Sequence, residues 1–63
     1  MNLADVINNI KEGEVYESTF AINEHWYITK SVGFIRYCSK DGDLHYDAIM
    51  LTPSNLRADY ELV

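Results

Sequence analysis

The sequence predicts an α+β domain spanning residues 1–63. An N-terminal helix packs on a small antiparallel sheet of four to five strands, with a short helical turn before the last strand. Three observations carry this expectation. Apolar residues recur at helical spacing near the start, and the period changes to two from Glu14 onward. An Asp-Gly pair then stands between two alternating segments, the strongest short-range signal for a hairpin. One helix and several short strands bury their apolar sides together when the helix lies on one sheet face.

The helix comes first. Leu3, Val6, Ile7 and Ile10 form one stripe at i, i+3, i+4, i+7. Asn2 is suited to cap it, and Asp5 places a carboxylate near the positive end of the helix dipole. Lys11 falls in the expected last turn, and Gly13 suits the left-handed residue that stops a helix. In the first strand Tyr16, Ser18, Phe20 and Ile22 alternate against Val15, Glu17 and Thr19, with a turn expected at Asn23 and Glu24. The second strand, HWYITKS, alternates Trp26, Ile28 and Lys30 against His25, Tyr27 and Thr29 and breaks between Ser31 and Gly33.

FIRYCS and LHYDAIML follow as a hairpin around Asp41 and Gly42. With those two as the loop, Cys38 faces His45, Arg36 faces Asp47 and Ile35 faces Ala48. That register gathers Ile35, Tyr37, Leu44, Tyr46, Ala48 and Met50 on one apolar face. It also sets Arg36 and Asp47 as an opposite-charge pair on the other. Thr52 and Pro53 then open a short helical turn over Ser54 to Arg57, and YELV reads as a final strand with Tyr60 and Leu62 on one side.

Size and charge narrow the function. A chain of 63 residues buries only about 60% of its unfolded surface, so its core is thin. Such domains add disulfides, a metal or a partner chain. The single cysteine makes an internal disulfide impossible and fits a reducing, cytoplasmic compartment. MNLADVINNIK lacks the basic and long apolar regions of a secretory signal, and no apolar run reaches the about 20 residues of a membrane span. A net charge of −5 argues against direct binding to nucleic-acid phosphates. It admits a protein that imitates nucleic acid, although a soluble acidic surface is the plainer account.

RYCSKDGDLHYD concentrates the polar chemistry. A calcium loop starting at Asp41 would need glycine sixth and glutamate twelfth, where Tyr46 and Thr52 stand. Zinc at Cys38 and His45 would need further ligands, such as His25 and Asp43, and no CxxC or HxxxH spacing exists. A Cys-His nucleophile would need an orienting group and an oxyanion site, neither of which is indicated. The glycines are isolated, and Glu12, Glu14, Glu17 and Glu24 are not spaced to flank one bond. The expectation is a protein that is not an enzyme, with no metal and no cofactor.

Aromatic residues are the remaining signal. Tyr16, Phe20, Trp26, Tyr27, Phe34, Tyr37, Tyr46 and Tyr60 are many for one thin core. On an alternating sheet Trp26, Tyr27, Phe34 and Ile49 cannot all be inside. The surplus supports self-association.

LADVINNIKEG at the start and LTPSNLRADYELV at the end resemble the two ends of small phage and prophage proteins, namely Thoeris anti-defence proteins of the sponge type. The chain departs from that pattern in EVYESTF, which is acidic where a basic strand is usual, and in Tyr60, which stands where a tryptophan is usual. The resemblance implies a homo-oligomeric, non-catalytic α+β protein that sequesters a nucleotide-type signal at subunit interfaces. Trp26 or Tyr27 would stack on a base and Arg36 or Arg57 would hold phosphate, with Lys30 and Lys40 as the other basic strand or loop positions. The alternative is an acidic inhibitor that binds a host protein.

Overall fold

The computed structural model describes residues 1–21 and 24–63, without the side chains of residues 20, 21, 24, 46 and 47. The elements are α1 (Leu3–Asn9), β1 (Val15–Ala21), β2 (Glu24–Ser31), β3 (Phe34–Cys38), β4 (Leu44–Ala48), α2 (Pro53–Arg57) and β5 (Tyr60–Leu62). The five strands form one antiparallel sheet in the order β4-β3-β2-β1-β5. This is the predicted α+β class with its short helix before the last strand. No helix among the described residues is long and apolar enough to cross a membrane.

Helix α1 begins as expected. The Asn2 side chain accepts a hydrogen bond from the Asp5 N–H at 2.9 Å. It ends earlier than expected, at the Ile10 cap, so Lys11 lies outside it. Gly13 does take a positive φ of 83°, but in a separate turn in which the Glu14 N–H donates to the Lys11 carbonyl at 3.0 Å. That turn brings Glu12 beside Lys30 of β2. Leu3, Val6 and Ile10 are buried, whereas Ile7 at the edge of the stripe remains exposed.

Both helices lie on one sheet face. Tyr16, Ile28 and Tyr60 meet Leu3, Val6, Ile10 and Ala58 there, with Ile35, Tyr37 and Ile49 packed around them. Burying a side chain of this size contributes about 1.5–3 kcal/mol, so these few residues carry most of the stability. Asn55 ties α2 to the sheet. Its Nδ2 donates to Tyr37 Oη at 2.9 Å and to the Met50 carbonyl at 2.7 Å, while Tyr60 Oη donates to the Asn55 carbonyl at 2.9 Å. Thr52 caps α2 through its side chain and Pro53 occupies the first turn, as the sequence predicts. Ser18 Oγ, buried on this face opposite Tyr60, has no partner within hydrogen-bond distance among the described residues.

The expected turn at Asn23 and Glu24 lies partly outside the described residues, and Glu24 belongs to β2. The β2–β3 turn is Val32-Gly33, with φ of 51° and 80°. Two positive values define the mirror-image turn that matches strand twist, a conformation unfavourable for a β-branched residue. The Glu12 carboxylate accepts from the Val32 N–H at 3.0 Å and the Gly33 N–H at 2.7 Å, holding the turn closed.

The β3–β4 hairpin forms, but in another register. The Gly42 N–H donates to the Ser39 carbonyl at 3.0 Å, and the Ser39 N–H donates to the Asp43 carbonyl at 2.8 Å. Gly42 has a φ of 89°, while Lys40 and Asp41 do not enter the positive-φ region. The loop is therefore a turn followed by a left-handed glycine, one residue longer than the Asp41-Gly42 loop expected. Cys38 consequently faces Leu44 and not His45. A further irregularity sets Arg36 opposite Ala48 and not Asp47. Ile49, whose N–H donates to the Ile35 carbonyl, is the residue packed beside Ile35 and Tyr37. Leu44, Ala48 and Met50, expected on the apolar face, are exposed.

Candidate functional site

The opposite sheet face carries Glu17, Tyr27, Thr29, Arg36 and Cys38. The β3–β4 turn folds toward it. A Cβ on Gly42 would stand 3.5 Å from Val15 Cγ2. Thr29 and Cys38 are buried on this side, and burial pushes the Cys38 thiol above its ordinary value. The Thr29 hydroxyl donates to the Glu14 carbonyl at 2.7 Å. A cleft of about 310 Å³ opens where Glu12, Lys30 and Asp41 approach Val15 and Gly42.

The larger cleft, about 410 Å³, lies between the end of β1 and α2 and is lined by Thr19, Ser54, Arg57, Ala58 and Asp59. Its geometry follows from local structure. Thr52 and Pro53 start α2, and a spacing of three puts Ser54 and Arg57 on one side of that short helix. Ala58 is buried and anchors the chain as it leaves α2. The Asp59 carbonyl accepts from the Thr19 N–H at 2.9 Å and from Thr19 Oγ1 at 3.3 Å, joining the two walls. The Asp59 carboxylate accepts from the Met1 ammonium at 3.0 Å. Arg57 forms no ion pair among the described residues. Among the described residues the cleft thus presents a guanidinium, two hydroxyls and a carboxylate, and no paired nucleophile and base.

The four residues expected to bind a ligand are divided. Trp26 lies on the helix-bearing face, about half exposed, its ring centroid 5.8 Å from that of Tyr37 at an interplanar angle of 56°. Tyr27, its neighbour in β2, points to the other face, as strand alternation requires. Arg36 is on the Tyr27 side, with its guanidinium carbon 5.8 Å from the Phe34 ring centroid, within cation–π range. Arg57 is in the larger cleft, away from both sheet-borne groups on the Tyr27 side. One copy therefore does not gather Trp26, Tyr27, Arg36 and Arg57 around one ligand.

Sequence reasoning did not select Thr19, Ser54 or Asp59. The Ser54–Arg57 spacing after a capped start was a legible signal for one wall, whereas Thr19 and Asp59 meet only through the pairing of β1 with β5. The Cys38–His45 juxtaposition considered for zinc is absent, because Cys38 is buried opposite Leu44 and His45 is exposed on the other side of β4. No group of three metal-ligating side chains occurs among the described residues. Comparison of the chain with protein-family models, with curated proteins and with solved structures found no match to any of them.

Proposed function

We propose that this is a non-catalytic protein that acts by stoichiometric binding. In this reading it is a small phage-type accessory protein of the host cytoplasm that sequesters a nucleotide-type signal at sites completed by a second copy. The observation that carries the reading is the cleft at Arg57. Its volume of about 410 Å³ lies in the range of small-ligand sites, and its guanidinium, in no ion pair among the described residues, can meet a phosphate. Ser54, Thr19 and Asp59 offer hydrogen-bonding groups for ribose hydroxyls. Its described lining holds no aromatic side chain, so a base would be stacked by an aromatic residue such as Trp26 or Tyr27 from a neighbouring copy.

Isothermal titration with ADP-ribose, cyclic ADP-ribose and cyclic dinucleotides tests this directly. Saturable binding is expected, with the ligand recovered chemically unchanged and the affinity reduced at least tenfold by Arg57→Gln. No heat with any member of the panel at millimolar concentration would overturn the nucleotide reading. The second reading, an acidic inhibitor of a host protein, draws on exposed Asp5, Glu12, Asp41, Asp43, Asp59 and Glu61 on a chain of net charge −5. It requires a stoichiometric complex with a purified host enzyme that weakens with salt, and salt-independent behaviour would remove it.

A further inference from the structure

We propose that β4 pairs antiparallel with β4 of a second copy about a two-fold axis passing through residue 46, joining two five-stranded sheets into one of ten strands. This rests on the self-associating reading above and assigns the interface that it leaves open.

The strand order leaves β4 at one edge, paired only with β3 among the described residues. The other edge, β5, is three residues long, against five for β4. The pairing of β4 with β3 is incomplete. Cys38 meets Leu44 and Arg36 meets Ala48, so Tyr37 alone stands opposite residues 45, 46 and 47. The middle of β4 therefore holds more backbone donors and acceptors than β3 can match. Natural edge strands are protected by lysine and other charges, by proline, or by a bulge that twists the edge away. LHYDA contains neither lysine nor proline, carries Asp47 as its one full charge and the irregularity opposite Tyr37 as its bulge, and leaves Leu44 exposed. Met50 beyond it and Phe34 of β3 are exposed as well, at 63% and 61%.

The residue order of β4 identifies the occupant. A two-fold axis normal to the sheet keeps every side chain on its own face, so one residue of the strand must lie on the axis. With residue 47 on the axis, Asp47 faces its own copy. With residue 45 on the axis, Asp43 faces Asp47 of the second copy. Both registers oppose like charges, which destabilises a strand pair. With residue 46 on the axis, His45 stands opposite Asp47 and Leu44 opposite Ala48, and each match occurs twice. The strand is complementary to itself in that register and in neither of its neighbours.

The test pairs light scattering with site-directed cross-linking. The unmodified protein at about 100 μM is expected to scatter as a dimer. His45→Asp, which would set two aspartates opposite each other, is expected to weaken association at least tenfold with an unchanged circular dichroism spectrum. In a Cys38→Ala background, which removes the native thiol opposite residue 44, the double variant Leu44→Cys, Ala48→Cys should oxidise to a covalent dimer on a non-reducing gel. Either single variant should not, because like positions are offset by four residues, about 13 Å, along the strands. An oligomer whose double variant does not cross-link would overturn this interface and leave self-association standing. A monomer would overturn both, and is the result expected if the irregularity in β4 serves to shield the edge.

Discussion

Replacing Val32 with asparagine tests the one non-glycine position with positive φ among the described residues. Val32 has a φ of 51° in a two-residue turn whose second member, Gly33, has a φ of 80°. A left-handed conformation costs an ordinary residue about 1–2 kcal/mol, and a branched Cβ adds crowding. Asparagine populates that region far more readily, and Asn-Gly is the preferred pair for this turn. The valine side chain is 84% exposed, so its removal forfeits little packing. Val32→Asn should therefore stabilise the protein by about 1 kcal/mol. For a domain of this size that raises Tm by about 4–8 °C, and the urea midpoint should rise with an unchanged slope. Val32→Thr, equally branched, should give no such gain. A lower or unchanged Tm for Val32→Asn would refute the reasoning, since it would mean that Val32 is not strained or that its side chain makes a contact worth as much as the strain.

Other substitutions probe the remaining features. Asn55→Ala removes the donors to Tyr37 Oη and the Met50 carbonyl and should cost about 1–3 kcal/mol in urea denaturation. An effect below 0.5 kcal/mol, within the usual range for a surface change, would show that α2 is held otherwise. Ser18→Ala removes a buried hydroxyl with no partner within hydrogen-bond distance among the described residues and should leave stability unchanged or raise it by about 1 kcal/mol, whereas a clear loss would reveal a hydrogen bond to Tyr60, its neighbour across β1 and β5. Burial pushes the Cys38 thiol above its ordinary 9.0 and the Tyr60 hydroxyl above its ordinary 10.0. The unfolded chain therefore gives up these protons first, so stability that is complete below pH 9 falls as pH rises through the raised values. Denaturation midpoints measured from pH 8 to 11 should show that fall, beginning at higher pH in Cys38→Ala, and a flat profile would contradict it.

The elements were legible where local chemistry decides them. Asn2, Thr52 and Pro53 mark their helices because caps act within one turn, and the alternation that groups Tyr16 with Ser18 and Trp26 with Ile28 matches the faces these residues share in the sheet. The register of β4 was not legible. An Asp-Gly pair fits both a two-residue turn and the end of a three-residue loop, and one extra residue turns every following side chain over. The pattern favoured the other face, because Leu44, Ala48 and Met50 alternate with His45 and Asp47, yet Ile49 is the residue that packs beside Ile35 and Tyr37. Trp26 and Tyr27 could be placed on opposite faces from adjacency alone, and so could not serve one site in one copy. The Arg57 cleft stayed hidden because its second wall arrives from β1, far away in the chain, through a pairing that no local signal announces.

The place of β5 beside β1 has a consequence for the order of folding. The β2–β3 hairpin closes a two-residue loop, so its ordering entropy is small and it can form early. The β1–β5 ladder joins opposite ends of the sequence and completes the core only when Tyr60 arrives between α1 and the sheet. Perturbations at the two places should therefore divide between the two kinetic arms. Val32→Asn should chiefly speed refolding, while Tyr60→Phe, which loses the hydroxyl bond to the Asn55 carbonyl, should chiefly speed unfolding. Stopped-flow measurements on the two variants would show the sheet assembling from its middle strands outward, or would show the reverse.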